Sequence, residues 1–340
     1  MTFLIAVAML GLIIFVHELG HFLTAKFFKM PVSEFSIGMG PQVFSLDTKE
    51  TKYSFRAIPI GGYVNIEGME VGSQVENGFN SKPAYQRFIV LFAGVFMNFL
   101  TAFLIIFSIA QMSGRMEYEE KAIIGALVKG GANEQILKVD DKILELDGKK
   151  ITLWADIPEV TKEALDKKEI SALIERDGKE QKLVLKLTKD EENNRVVLGI
   201  SPKSKKTNLS FTESLIFAKN SFVSILKDTV GGLFTLFSGK ADLKEISGPV
   251  GILKVVGEVS KFGWTSIASL AVILSINIGV LNLLPIPALD GGRIIFVLLE
   301  LFRIKVNKKW EENLHKFGMV VLLFFIVMIN FSWKNTNNRL

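Results

Sequence analysis

The stretch IFVHELGHFL, Ile14 to Leu23, decides how this chain is read. It lies inside an apolar run from Thr2 to Phe28, long enough to cross a bilayer, for which about 20 residues suffice. Yet His17, Glu18 and His21 fall within five positions of one another. An ionisable side chain at that depth costs a few kcal/mol unless it faces a partner or a function. His17 and His21 are four residues apart, so on a helix both side chains leave one face and can converge on one ion. Glu18 stands beside the first histidine, placed to take a proton from a water molecule held there. This is the H-E-x-x-H spacing of zinc metalloproteases.

The rest of the chain narrows the ligand set. There is no cysteine among the 340 residues, so any metal is held by nitrogen and oxygen. Only three histidines are present, and two sit in this motif. A catalytic zinc takes three protein ligands and leaves a position open for water, so a third inward-facing His, Asp or Glu is expected on another span. The strong candidate is Asp290 in NLLPIPALDGGRIIF. Pro285 and Pro287 end a helix before it, and Gly291 and Gly292 loosen the backbone after it. Irregular backbone at membrane depth is tolerated where it lines a protein cavity. Asp290 can also cap a helix expected from Gly291 to Phe302, a role compatible with binding the metal. Glu300, near a basic rim, is expected to pair with Arg303.

Composition agrees with a membrane protein that carries a soluble insert. Hydrophobic residues make up 49% and charged residues 22%, and the charge concentrates between Glu117 and Lys206. Apolar runs at Thr2 to Phe28, Phe88 to Met112, Ile267 to Phe302 and Phe317 to Phe331 give four transmembrane helices. The first reads as a retained signal anchor. Lys26, Lys29, Arg87, Arg303, Lys305, Lys308, Lys309 and Lys316 then fall on one side. That side is cytoplasmic, and both termini and the charged insert are extracytoplasmic. The same rule accounts for the net charge of +5 without nucleic acid as a partner.

Four regions follow: an N-terminal membrane core over 1–112 with a cytoplasmic-side loop at 30–86, an inserted domain at 113–205, an amphipathic stretch and linker at 206–262, and a C-terminal membrane core at 263–340. In the insert, DDKILELDG reads as a hairpin, and ISALIERDGKEQKLVLKL as two strands joined at Asp177-Gly178. Phe211 to Phe237 is amphipathic, either lying on the outer membrane surface beside the entry to the site or packing as an ordinary helix.

HELGH in the first span with LDGG in the third resembles the site-2 protease family of intramembrane zinc metalloproteases. IGMGP (Ile37 to Pro41) is similar to that family's glycine-rich stretch, and RAIPIGGYVNIEGME (Arg56 to Glu70) to its membrane-reentrant β-hairpin. AGVFMNFL (Ala93 to Leu100), SGPVGI (Ser247 to Ile252) and NLLPIPALDGG (Asn282 to Gly292) extend the likeness along the whole chain. GALVKGGANEQILKVDDKILELDGKKI resembles a PDZ domain, mostly β. One fits here, whereas the sigma-E-regulating proteases of many proteobacteria carry two.

The resemblance implies Zn²⁺ on His17, His21 and Asp290, with Glu18 as general base and then acid. The hairpin at Gly61, Gly62 and Tyr63 offers an edge strand to an unwound substrate, and Asn282 hydrogen-bonds its backbone or, alternatively, ties helices together. Asn98 either contacts substrate or holds helices together. The implied substrates are transmembrane segments of single-pass proteins, such as a membrane-bound anti-sigma factor or remnant signal peptides, cut after a site-1-type protease has removed the ectodomain. The implied location is the bacterial cytoplasmic (inner) membrane. The rival reading is a catalytically inactive, membrane-tethered PDZ scaffold. It predicts erosion of the triad, which is intact.

Overall fold

A computed structural model describes residues 2–320 apart from 71–72, 74, 129–130, 165–166, 191–194, 239–248, 305–306, 308–309, 315 and 319. The chain forms two compact units, one from residues 1–109 with 212–340 and one from residues 110–211.

In the first unit, α1 (Thr2–Phe27) is followed by β1 (Val32–Asp47) and β2 (Lys52–Ile66), then α2 (Ala84–Ser113). The second half of the unit holds α4 (Phe211–Phe237), α5 (Pro249–Val259), α6 (Trp264–Leu283) and α7 (Asp290–Leu301), α3 (Asp156–Glu163) belonging to the second unit. Among the described residues α1, α2 and α6 are long and apolar enough to cross a membrane. The expected third span therefore divides. The helix long enough to cross, α6, ends at Leu283, where Pro285 and Pro287 remove the backbone donors that would continue it. The fourth expected span, Phe317 to Phe331, lies almost wholly outside the described residues. So do Ser247 and Gly248 of SGPVGI; its Pro249 opens α5.

Close approach of α1 and α2 depends on small residues. A Cβ added at Gly20 would lie 2.4 Å from the carbonyl oxygen of Ala93, so the two backbones touch there, as in small-residue helix contacts within membranes. The amphipathic stretch is helical with the expected bounds. Its Ala218 is buried with Ala102, Val272 and Ile276, and Phe222 meets Phe99 and Phe103 edge-on. It is thus a packed helix of this unit.

The β1–β2 hairpin curls back on itself. Phe35 has register partners on both sides, Val64 and Tyr53, and Ser36 likewise faces Tyr63 and Ser54. A polar knot fixes the curl: Glu34 accepts from Ser54 Oγ at 2.5 Å, Tyr63 OH at 2.6 Å and Arg56 Nη2 at 2.8 Å. Outside the knot the hairpin exposes Val43, Phe44, Leu46, Phe55 and Ile58. Its β2 strand lies along α1: a Cβ at Gly11 would meet the carbonyl oxygen of Pro59 at 2.7 Å.

The second unit carries β3 (Arg115–Tyr118), β4 (Ile124–Leu127), β5 (Lys142–Leu146), β6 (Lys149–Lys150), α3 (Asp156–Glu163), β7 (Glu169–Arg176), β8 (Lys179–Lys186), β9 (Thr188–Asp190), β10 (Arg195–Val197), β11 (Ile200–Pro202) and β12 (Ser204–Thr207). The main sheet runs β6-β5-β7-β8. Both expected hairpins form. Their tips, Asp147-Gly148 and Asp177-Gly178, have positive φ at both residues, the two-residue turn whose twist matches the strands. Ile124, Leu137, Ile143, Leu146, Ile174 and Leu185 build the core.

Candidate metal centre

The three expected donors meet. His17 and His21 come from one face of α1 and are each 6% exposed, and Asp290 is the first residue of α7. His17 Nε2 lies 3.0 Å from Asp290 Oδ2, His21 Nε2 lies 3.3 Å from the same oxygen, and the two Nε2 atoms are 3.2 Å apart. A tetrahedral zinc about 2.0–2.1 Å from each ligand sets its ligands about 3.3 Å apart. The donor set therefore fits a zinc ion in both chemistry and spacing. Among the described residues it is the one group of three or more such side chains close enough to hold a metal.

The tautomer of His21 supports the same fit. Its Nδ1 lies 2.7 Å from the carbonyl oxygen of Val90. A carbonyl only accepts, so Nδ1 carries the proton and donates it, and in the neutral ring Nε2 then keeps its lone pair for the centre. That lone pair faces a carboxylate oxygen, an arrangement that repels unless a proton or a cation lies between them.

Asp290 does not add the helix-cap role that is compatible with binding a metal. Leu289 occupies the cap position and no side chain bonds there, while the carboxylate is turned to the histidines. The preceding loop is tightly folded: Ala288 has φ of 81°, and a Cβ on Gly291 would lie 2.3 Å from the carbonyl oxygen of Leu284. A side chain at Gly291 would thus move Asp290. Glu300 pairs with Arg87 on α2, not with Arg303, because the helical chain carries it toward the buried guanidinium across the interface.

The remaining expected residues divide. Glu18 faces the backbone of Val64, and a Cβ on Gly62 would come within 3.9 Å of Glu18 Cγ, so β2 walls the site beside the carboxylate. Gly61 packs under Met39, and the Tyr63 hydroxyl is taken up by Glu34 and Arg56. Asn282 Nδ2 lies 3.3 Å from His17 Nε2, on the side of the centre. Asn98 Nδ2 lies 3.3 Å from His17 Nδ1, behind the ring.

One residue at the site is not expected from the sequence. Gly94 lies against both imidazoles, and a Cβ there would stand 2.4 Å from His21 Nε2 and 2.7 Å from His17 Cε1. Val90, Gly94 and Asn98 follow at four-residue spacing, one stripe of α2 turned to the histidines. Beside the site, an apolar cavity of about 750 Å³ is lined by Phe99, Leu226, Val230, Val280, Leu283 and Ile286, among others.

Similarity to known proteins agrees with this geometry. The profile of Peptidase family M50 matches residues 5–325. A Fusobacterium nucleatum protein named "Putative zinc metalloprotease" is 80% identical over 339 residues, 99% of this chain and 100% of that one. A protein of the same name from Clostridium acetobutylicum is 35% identical over 335 residues, 96% and 95% of the two chains. A solved PDZ domain of an SdrC-like protein from Listeria monocytogenes aligns with 25% of this chain and 90% of its own, at 14% identity and a TM-score of 0.23. With a profile and full-length relatives spanning helices, hairpin and donor set alike, the chain belongs to peptidase family M50, the site-2 protease family that its motifs resemble.

Proposed function

We propose that this zinc metalloprotease works inside the bilayer, cutting transmembrane segments of single-pass proteins, with His17, His21 and Asp290 holding the zinc and Glu18 as the catalytic base. The observation that carries the reading is the coincidence of three donor separations, 3.0, 3.2 and 3.3 Å, with those of a tetrahedral ion (about 3.3 Å), on helices apolar enough to span. The zinc supplies Lewis-acid polarisation and a water of lowered pKa. Glu18 would accept a proton from the attacking water and hand it to the leaving amine. Asn282 would donate its amide to the substrate backbone.

A helical substrate shields its scissile carbonyl within its own hydrogen bonds, so it enters unwound. The strand around Gly61 and Gly62 gives its freed backbone groups partners, and β2 dips into the bilayer beside α1 to do so. The apolar cavity between α2, α4, α6 and the Leu284–Ile286 turn has the lining that such a segment requires. The enzyme then lies in the bacterial cytoplasmic membrane with both termini and a PDZ-type second unit outside. It acts after a site-1-type cut on an anti-sigma factor or a remnant signal peptide.

The test is hydrolysis of a transmembrane peptide in detergent, comparing the native chain with Glu18→Gln. Zinc content should stay near one per chain in both, while cleavage is lost in the variant. Equal cleavage rates would remove Glu18 from the mechanism.

A further inference from the structure

Asn98 is fully buried in the middle of α2, and its Oδ1 is the one buried side-chain polar atom among the described residues without a hydrogen-bond partner. An orphaned buried acceptor costs about 1–3 kcal/mol, so its position asks for a reason. The backbone around it is held firmly: the Ser275 hydroxyl, itself 1% exposed, donates to the Asn98 carbonyl oxygen at 2.9 Å.

The two ends of a carboxamide are nearly the same in shape, and which end faces a neighbour is set by hydrogen bonding. With its –NH₂ toward His17 Nδ1, the amide donates to a bare Nδ1, and the imidazole proton must sit on Nε2. Nε2 is the atom that faces Asp290 and His21, and a proton there blocks a metal. Turned over, the amide places Oδ1 at Nδ1 and its –NH₂ in the position the oxygen left, which has no protein partner among the described residues. The oxygen gains a donor, Nδ1 keeps the proton, and Nε2 presents its lone pair.

His21 is already held in this way two turns earlier on the same helix, by the Val90 carbonyl oxygen at 2.7 Å. The stripe Val90, Gly94, Asn98 thus offers one acceptor to each histidine and a gap between them. Resting on the zinc triad proposed above, we infer that Asn98 is a positioning residue: its side-chain oxygen accepts the Nδ1 proton of His17 and fixes the tautomer that binds zinc. Asn98 holds the ligand from behind, and its place is opposite the substrate side.

The test uses the full chain in detergent micelles, labelled with ¹⁵N in its imidazoles, with zinc affinity read by competition against a chromophoric chelator. The chain has three histidines, so the spectrum is sparse. In the native zinc-loaded protein His17 should show a proton bonded to Nδ1 and none on Nε2. Asn98→Leu, of similar volume without an acceptor, should weaken zinc binding about 10–100-fold and lose the fixed Nδ1–H signal. Asn98→Asp carries an oxygen at either position and should stay within about threefold of native affinity, by the same dependence on the partner behind the ligand.

Native affinity in Asn98→Leu, or a bare Nδ1 on His17 in the native loaded protein, would overturn the inference and leave the triad standing. If the native chain takes up no zinc, the triad itself fails and the inference with it. Should Asn98→Leu not fold, the native spectrum and Asn98→Asp still decide: weak zinc binding by a folded Asn98→Asp counts against it.

Discussion

Gly94→Ala adds one methyl group in a helix interior, where alanine is favoured over glycine by about 0.8–1.0 kcal/mol. Local propensity alone therefore expects a slightly more stable α2. The site expects the opposite. The new Cβ would stand 2.4 Å from His21 Nε2 and 2.7 Å from His17 Cε1, against ordinary non-bonded separations of about 3.5–4.0 Å. Both rings must retreat by about 1 Å. His21 cannot do so without breaking its bond to Val90, and α1 cannot shift as a body without losing its backbone contact at Gly20. Metal sites tolerate about 0.2 Å in ligand position, and a misplacement of about 1 Å costs on the order of 10²-fold in rate. Zinc affinity measured by chelator competition, and cleavage of a transmembrane peptide, should each fall about a hundredfold or more on that scale. Gly232→Ala on α4, where a Cβ meets nothing within 4 Å, supplies the comparison: it changes helix propensity alone and leaves zinc affinity unchanged. A Gly94→Ala chain that binds zinc with native affinity would refute the packing argument.

Two further predictions concern the second unit. Asp141, with its side chain 1% exposed, accepts from Arg176 Nε and Nη2 at 2.7 and 2.6 Å and from the Lys138 amide at 2.7 Å. Asp141→Asn keeps the shape and strands the guanidinium, so it should destabilise this unit by about 3–5 kcal/mol. Limited proteolysis of the full chain should then cut within residues 110–211 at lower temperature, with zinc binding intact; unchanged cutting would count against it. Asp156 accepts the amides of Thr152 and Leu153 at 2.8 Å each, and the Leu153 bond first, then that of Thr152, holds its carboxyl below the usual 3.8. A depressed value means that this anchor is in place above pH 3.8 and is lost as pH falls through the lower folded value. Amide shifts of Thr152 and Leu153 should titrate with a midpoint under 3.8, and a midpoint at or above it would contradict the assignment.

How much of this was legible in the sequence varies with range. The donor set was readable because its chemistry is improbable in oil: histidines at i and i+4 in a span, and one aspartate after a proline break. The hairpin tips were readable because Asp-Gly has few other uses between alternating strands. Gly94 and the acceptor behind His21 were not. A glycine in an apolar helix has no signature of its own, and a backbone carbonyl exists at every residue. Only the crossing of α1 and α2 shows which glycine and which carbonyl face the imidazoles. Glu300 was misassigned for the same reason: Arg303 is near in sequence, but Arg87 is near in space. Likewise nothing local separates a helix cap from a ligand at Asp290, since both place a carboxylate at the first turn.

His17 and Asp290 touch across 273 positions of chain, with the whole second unit between them. Ribosomes add about 5–20 residues per second, so the 269 residues from His21 to Asp290 take roughly 15–50 s to make at that pace. Throughout that interval the nascent chain offers two imidazoles without the Asp290 carboxylate that completes them. On the proposed triad it cannot cut the unprotected segments that enter the membrane beside it. The making of the Asp290 segment is then the step that arms the enzyme.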